Sequence, residues 1–341
     1  MDAVRRVRSR TYWRRRRETG IVPLVFRFAA FVAPLWLIAA TAAAECLPAP
    51  DLPIAEAGAE TEVGATLQDR AGRMVAPVTV NGQGPFRFIV DTGANRSVLS
   101  RPLAEQLGLI PTGTGAVHSI EGVRLAPLAH VNSLRYGALD LPSGATPLLE
   151  GPVLAGEDGL LGVDGMRGRR LRMDFERRCI EITPARNAGS LRGWEMVRGE
   201  LRFGHLVMVR GFVRGLRVNI LIDTGSDTSL ANVALQEALR ARLRGNEEAF
   251  GPPRAHTAGQ TVVLDHVMVV SQLSLGEMEL DNIAAYVGDF HIFALWNLLE
   301  EPTLLLGMDV LSQTKGLAID YDRARVFFLL RDRSRGRWLT N

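Results

Sequence analysis

One segment of this chain occurs twice, and the repeat limits the possible folds more than any other feature. The first copy, FIVDTGANRSVLS, spans Phe88–Ser100, and the second, ILIDTGSDTSLAN, spans Ile220–Asn232. Each copy begins with an apolar run, typical of a buried strand, that leads directly into Asp-Thr-Gly. Because the aspartates at positions 91 and 223 are separated by 132 residues and have similar flanks, the pattern indicates an internal duplication.

Other segments repeat in the same order. The triplet Leu160–Gly162 returns as Leu305–Gly307, and the DFERR segment that starts at Asp174 returns as DYDRA from Asp320. Short β-rich runs separated by turn signals fill most of the space between them. We assign the additional residues of the second copy to the polar loop 244–254. The sequence therefore predicts a mostly β fold made of two similar lobes.

Several local elements can be predicted with a physical reason. The NGQG segment at 81–84 predicts a hairpin, and another is expected around Glu176–Arg178. SRPLAEQLGL predicts a short helix capped by Ser100 with Pro102 in its first turn. A longer helix is expected over 232–243. An aromatic stretch holds Phe290, Phe293 and Trp296, which are either core residues or the lining of a cleft; the helical spacing favours core.

The N-terminus has the layout of an export signal. An arginine-rich start precedes an apolar run, and Ala42–Ala44 forms a small-residue cleavage site. A retained membrane anchor over residues 21–44 is the alternative. Both place the body of the protein outside the cytoplasm, in the periplasm or extracellular space. The formal charge of +3 arises in this leader, because nine arginines lie in it, so we expect no nucleic-acid partner.

The predicted organisation follows from these boundaries. The chain has two cysteines, Cys46 and Cys179, and an exported protein could pair them, but nothing in the sequence fixes their distance and free thiols are favoured. The predicted segments are a signal peptide or anchor at 1–44, a linker at 45–65, a first lobe at 66–185, a connector at 186–198, a second lobe at 199–333 and a tail at 334–341.

The repeated aspartates suggest a specific chemistry. A buried carboxylate without a partner is costly, and two strand ends related by duplication can meet so that their carboxyls share one proton. One acid then stays protonated while the other acts as a base, which is general acid–base catalysis from two identical side chains. Glycine two positions after each aspartate allows another backbone to approach closely.

These motifs resemble those of the aspartic proteases, which implies β-barrel lobes similar to the retropepsin type, joined in one chain as in the pepsin-like enzymes, with the active site at their interface. The resemblance covers most of residues 66–333. It implies that Asp91 and Asp223 are catalytic, and that no cofactor or metal is needed. It further implies that a set of neighbouring residues supports the two acids: Thr92, Gly93, Ala94, Thr224, Gly225, Ser226, Leu161, Gly162, Leu306 and Gly307.

Two further expectations concern the surroundings of the acids. Ser226 can donate a hydrogen bond toward Asp223 whereas Ala94 offers none to Asp91, so Asp223 is expected to ionise more easily. Pepsin-like enzymes are similar to one another in having a tyrosine on the flap that covers the substrate, and here His118 stands at that point. His256 stands at the equivalent point of the second half. Both histidines are candidate substrate contacts or ordinary surface residues.

The sequence thus favours an aspartic endopeptidase that acts on extended peptides or unfolded proteins and is active as a monomer, since both acids lie in one chain. The alternative is an exported peptide-binding module without activity on the same duplicated fold. Intact Asp-Thr-Gly tripeptides in both copies favour catalysis. Serine-hydrolase, phosphate-loop and dinucleotide motifs are absent from the sequence, and its six histidines lack metal-ligand spacing.

Overall fold

The computed structural model describes residues 47–48, 73–137, 139–242, 254–256, 261–263, 266–331 and 337–339. The predicted export segment, most of the predicted linker and most of the loop 244–254 lie outside these ranges. Within the described part of the chain, no helix is both long and apolar enough to cross a bilayer.

The described residues form a mostly β protein with short helices, as the sequence predicts. The helices are α1 Arg101–Gln106, α2 Val233–Arg242, α3 His291–Leu295 and α4 Met308–Leu311, with 3-10 turns at Pro152–Leu154 and Val163–Gly165. The strands are β1 Leu47–Pro48, β2 Val75–Val80, β3 Gln83–Val90, β4 Val98–Ser100, β5 Pro111–His118, β6 Val123–Val131, β7 Leu134–Tyr136, β8 Leu139–Leu141, β9 Gly144–Leu149, β10 Gly159–Leu161, β11 Arg169–Asp174, β12 Cys179–Pro184, β13 Glu195–Arg202, β14 Leu206–Val213, β15 Leu216–Ile222, β16 Ser229–Ala231, β17 Arg254–His256, β18 Thr261–Val263, β19 Val267–Leu275, β20 Met278–Val287, β21 Thr303–Leu306, β22 Gly316–Asp320, β23 Arg325–Leu329 and β24 Arg337–Leu339.

Two large sheets organise these strands. The first has the order β5-β6-β9-β4-β10-β3-β2-β7-β8 and lies within the first half of the chain. The second runs β1-β12-β11-β22-β23-β13-β14-β15-β21-β16-β20-β19 and includes strands from both halves. Its crossing point is the antiparallel pair β11–β22, in which Arg170 is opposite Asp320. The two halves are therefore joined by backbone hydrogen bonds as well as by side-chain packing.

The same central arrangement occurs in each half. Strand β3 pairs in parallel with β10, and β15 pairs in parallel with β21, so each strand that leads to an Asp-Thr-Gly motif lies beside an apolar-apolar-Gly motif. The side chains at the ends of β3 and β15 are buried, which accounts for their unbroken apolar sequence. This pairing delivers both aspartates to the ends of rigid, buried strands.

The predicted hairpins and helices are confirmed. Asn81-Gly82 joins β2 to β3 with φ values of 51° and 74°, as a primed hairpin turn requires, and Arg214-Gly215 forms the same turn in the second half. Helix α1 begins after Ser100, whose hydroxyl accepts the Leu103 N–H at 3.1 Å. The four residues between β11 and β12 form the turn expected around Glu176–Arg178.

Two features bear on the predicted boundaries. Strand β13 begins at Glu195, inside the range predicted as a connector, and β11 and β12 belong to the sheet shared with the second half. The lobe limits accordingly stay a prediction.

Cys179 is disulfide-bonded, so the expectation of free thiols is wrong for this residue; the sequence contains one other cysteine, Cys46, outside the described residues.

Candidate active site

The two Asp-Thr-Gly loops meet where their strands end. The backbone N–H of Asp91 donates to the Leu161 carbonyl at 3.0 Å, and that of Asp223 donates to the Leu306 carbonyl at the same distance. Both carboxyls line one cleft with a volume of about 380 Å³. We call Asp91 and Asp223 the dyad. Its position at the ends of two buried strands holds the carboxyls in a defined place.

Reciprocal hydrogen bonds from two threonines hold the loops together. The hydroxyl of Thr92 donates to the Ile222 carbonyl at 2.7 Å, and that of Thr224 donates to the Val90 carbonyl at 2.7 Å. Each hydroxyl also accepts the backbone N–H of the other threonine, at 3.0 and 3.2 Å. Both threonines are almost completely buried. These four bonds cross between the two halves, in the way that the resemblance implied for Thr92 and Thr224.

The glycines of the motifs leave room for the opposite carboxyl. A Cβ atom on Gly93 would lie 2.6 Å from Cγ of Asp223, and one on Gly225 would lie closer still to Cγ of Asp91. Real Cβ atoms do not come so near to a neighbour, so any larger residue would push the loops apart. The requirement for glycine is a matter of space between the two halves, because neither residue has a positive φ.

The two carboxyls differ in their surroundings. Burial raises the pKa of both, and it does so further for Asp223, where the charge of Asp91 adds to the effect. At Asp91 the Gly93 N–H, a hydrogen bond from Asp223 and the positive charge of Arg73 lower the pKa in part. The arrangement favours an ionised Asp91 beside a protonated Asp223.

This order is the reverse of the one expected from the sequence. The hydroxyl of Ser226 donates to the Thr228 carbonyl at 2.7 Å, so this residue donates to Asp223 through its backbone N–H, at 3.1 Å, and not through its side chain. Ala94 contributes through its backbone, since a hydrogen bond from its N–H lowers the pKa of Asp91. The prediction that Asp223 ionises more easily is therefore wrong: burial and the charge of Asp91 raise the pKa of Asp223, and the serine hydroxyl that was expected to oppose this is used within its own loop.

Arg73 is a residue of the site that the sequence analysis missed. It lies just before β2, and its Nη1 donates to the Val153 carbonyl at 3.0 Å and to the Gly225 carbonyl at 3.5 Å. Its charge thus sits beside the second loop and acts on the first carboxyl. The internal repeat offers no signal for it, because the position 132 residues later is His205.

A serine–aspartate pair behind each loop was also missed. The Ser97 hydroxyl donates to Asp164 at 2.9 Å and accepts the Gly162 N–H at 3.1 Å. In the second half, the Ser229 hydroxyl donates to Asp309 and accepts the Gly307 N–H at the same two distances. Each pair ties an Asp-Thr-Gly loop to its apolar-apolar-Gly motif. The repeat contained the signal, since both serines follow the dyad acids by six residues and both aspartates follow the glycines by two.

We expect the free energy of unfolding to fall as pH rises from about 4 to 7, and to fall less in an Asp309→Asn variant. Burial raises the pKa of Asp309 from 3.8 to about 6, against the opposing bonds from Ser229. The folded state therefore holds this proton more tightly than the unfolded chain does. Its contribution, roughly 3 kcal/mol, is present below pH ~4 and is lost as pH passes through the folded pKa.

Urea unfolding at pH 4, 5.5 and 7 measures this effect as the difference between native protein and variant, which removes the parallel contribution of the dyad. An Asp140→Asn variant is the control, because that carboxylate is 83% exposed. Equal pH slopes for the native protein and Asp309→Asn would show that Asp309 is not buried as described.

The cleft lies between a hairpin of the first half and a helix of the second. The hairpin, residues 111–131, consists of β5, β6 and their turn, and we call it the flap. Its residues Val117–Ile120 line the cleft opposite Ile292, Leu295 and Trp296 of α3 and its C-terminal end. Apolar walls around two carboxyls suit a chain with apolar side chains lying across the dyad.

The aromatic and histidine predictions have mixed outcomes. The core prediction is confirmed for Phe290, Phe293 and Trp296, and Trp296 also lines the cleft and stacks on Phe203. His118 lies at the end of β5 in the flap, where its side chain reaches the cleft and contacts His291 of α3. His256 ends β17, which pairs with β18, and its side chain lies outside the described residues. Within the described ranges, no group of three His, Cys, Asp or Glu side chains is placed to hold a metal ion.

Comparisons with known proteins agree with this architecture. A family model described as aspartyl protease matches residues 76–164 and 209–310, more than half of the chain. A solved structure, a retropepsin-like aspartic protease from Rickettsia conorii, is 20% identical and covers 40% of this chain and 89% of its own, with a TM-score of 0.26. No curated protein matches the chain. With the family pattern present in both halves around the paired Asp-Thr-Gly loops, this chain belongs to the aspartyl protease family.

Proposed function

We propose that the protein is an aspartic endopeptidase that hydrolyses peptide bonds with a water molecule activated between Asp91 and Asp223. The observation that carries the proposal is the pairing of two buried carboxyls with unequal surroundings. Burial and the charge of Asp91 favour a proton on Asp223, and Arg73 favours a negative charge on Asp91. A shared proton between two acids is the condition for one to act as base and the other as acid.

The proposed reaction follows from these protonation states. The Asp91 carboxylate accepts a proton from water while the water oxygen attacks the peptide carbonyl carbon, and Asp223 donates its proton to the carbonyl oxygen. The tetrahedral intermediate then collapses as the proton held by Asp91 passes to the leaving nitrogen, and Asp223 regains its proton from the hydroxyl of the intermediate. All atoms are conserved, and the dyad returns to its starting state. The threonine bonds keep both carboxyls in position throughout.

The proposed substrate is an extended segment of an unfolded or loosely folded protein. A strand-like peptide fits between the flap and α3, because flanking backbone can pair with it and its side chains can reach the apolar walls. We propose that one copy of the chain is the catalytic unit, since it carries both acids. Export to the periplasm or extracellular space, with or without a membrane tether through residues 21–44, stays a prediction from the sequence.

The test is cleavage of denatured casein by the full chain between pH 3 and 8, beside a variant that carries both Asp91→Asn and Asp223→Asn. We expect a bell-shaped dependence of the cleavage rate on pH, with limbs that report the two titrations of the dyad. In water enriched in oxygen-18, each new carboxyl terminus should gain one heavy oxygen from the attacking water. Folded protein that leaves casein intact at every pH would overturn the proposal in favour of a peptide-binding module.

A further inference from the structure

The tip of the flap is bonded to the second half of the chain. Nδ1 of His118 lies 2.9 Å from Nε2 of His291, and the two ring planes are 10° apart. Next to this contact, the His291 backbone N–H donates to the Ile120 carbonyl at 3.0 Å. His291 is the first residue of α3, so its N–H has no partner within the helix and can donate to a residue outside it. One side-chain bond and one backbone bond therefore close the flap on α3.

The flap residues of these two bonds belong to the cleft that holds the dyad. His118, Ser119 and Ile120 line the same cleft as Asp91 and Asp223. The flap turn is itself held by the Ser119 N–H, which donates to the Gly122 carbonyl at 2.9 Å, so the tip moves as a unit. The bonded tip joins the flap to α3 across the cleft in which a peptide would lie over the dyad.

We propose that His118 and His291 are positioning residues that hold the flap closed over the empty cleft, and that they release it when both rings are protonated. This inference rests on the proposed function, because it concerns access to the same dyad. The pair adds to the free-energy difference between closed and open flap, and so it sets what fraction of the protein can accept a substrate.

The hydrogen bond explains why two protons are needed. The bond requires one ring nitrogen to donate and the other to accept, which two neutral rings or one neutral and one charged ring can do. When both rings are charged, two N–H groups face each other and the contact becomes repulsive. Histidine is the side chain whose charge ordinarily changes in the range between mildly acidic and neutral pH, and two positive charges at hydrogen-bond distance repel each other. Release is therefore expected in acid, where a dyad that shares one proton also operates.

Other charged groups lie on the elements around the two histidines, and the experiment must distinguish their pH response from that of the histidines. Glu121 lies in the flap turn and Arg124 near the start of β6, and they form an ion pair at 3.7 Å. Asp289 precedes α3, where its Oδ1 accepts the Val233 N–H at 3.4 Å. Across the cleft lie Arg96, Asp227 and the dyad. A double variant whose two side chains form the same hydrogen bond but do not take up a proton leaves all of these charged groups in place.

The chain offers such a variant pair. His118→Asn puts a carbonyl oxygen near the position of Nδ1, and His291→Gln puts an amide N–H near the position of Nε2. The other variants are His118→Ala and His291→Ala, singly and together, with His130→Ala as the matched control. His130 is an exposed histidine at the far end of β6 in the same flap.

Hydrogen exchange of the flap and α3 amides in the substrate-free full chain, corrected for intrinsic rates, measures opening directly. At pH 7.5 we expect each alanine variant to exchange about five-fold faster than the native protein, as for loss of one hydrogen bond, and the double variant to exchange no faster than either single one. At pH 4.5 the native protein should match the alanine variants. The Asn/Gln double variant should stay protected at both pH values, and His130→Ala should behave as native.

Equal exchange in native and alanine variants at pH 7.5 would overturn the proposal, and a pH effect that persists in the Asn/Gln variant would assign it to the other charged groups. Neither result depends on peptidase activity, so failure here is distinct from failure of the proposed function. With a peptide substrate at pH 7.5, the alanine variants should show a KM about five-fold lower at unchanged kcat. A higher KM would mean that the pair holds substrate, which contradicts a closure that excludes it.

Discussion

Asparagine at either dyad position is expected to reduce peptide-bond cleavage by at least about 10³-fold while leaving the protein folded. In the proposed mechanism, Asp91→Asn removes the base that accepts a proton from water, and Asp223→Asn removes the acid that protonates the carbonyl oxygen. Shape is preserved in both variants. Oδ1 of Asp223 accepts the N–H groups of Gly225 and Ser226, and an asparagine oxygen can accept both. The loss should therefore appear in kcat with little change in KM.

The same Asp223→Asn variant should be more stable than the native protein at neutral pH. Burial and the charge of Asp91 raise the pKa of Asp223 well above its usual value, so the folded state favours the protonated acid. That contribution is complete at low pH and is lost as pH rises through the folded pKa. Asparagine removes this pH dependence of stability. The melting temperature of the variant should therefore exceed that of the native protein at pH 7.5, and the two should converge below about pH 4.

Cleavage of denatured casein and thermal unfolding at pH 4 and 7.5 measure both effects on the same preparations. Asp140→Asn, in which an exposed carboxylate is replaced, controls for the loss of one negative charge. A single dyad variant that retains more than a tenth of native activity would contradict a mechanism that needs both acids. Loss of activity together with loss of the folded signal would contradict the structural role assigned to the asparagine oxygen.

Gly225→Ala is expected to separate the two Asp-Thr-Gly loops. The new Cβ atom would occupy the space of the Asp91 carboxyl, which cannot move away because the Gly93 N–H and the strand end hold it. Relief requires the loops to shift apart, which strains or breaks the cross-bonds of Thr92 and Thr224. We expect the free energy of unfolding to fall by about 3 kcal/mol, the upper part of the usual range for overpacking. Cleavage should fall by more than about 100-fold, because the carboxyls no longer share one site.

Urea unfolding and casein cleavage check this prediction, with Gly189→Ala as the matched control. Gly189 is exposed and nothing lies within 4 Å of the position of its Cβ, so the same chemical change should be nearly neutral there. Gly93→Ala places a Cβ 2.6 Å from Cγ of Asp223 and should have an effect of the same kind. A Gly225→Ala protein with native stability and activity would mean that the two loops do not meet as described.

Local patterns predicted much of this protein. Apolar runs that end in Asp-Thr-Gly predicted buried strands that deliver two acids, and Asn81-Gly82 predicted a hairpin. Ser100 and Pro102 predicted the start of α1. These features depend on residues close together in sequence, where period, turn conformation and capping chemistry act directly. The internal repeat extended the prediction to the meeting of the two halves, because duplicated units pack about a shared axis.

Contacts between distant residues without repeat counterparts were decided by the tertiary structure alone. Arg73 reaches the dyad from before β2, and the Ser226 hydroxyl turns to Thr228, so together they reverse the expected order of ionisation. His118 meets His291 across 173 positions of sequence. A sequence pattern states which side chains are available, but the free energy of a charge or a hydrogen bond depends on what lies within a few ångströms, and that is set only when the strands and loops have packed.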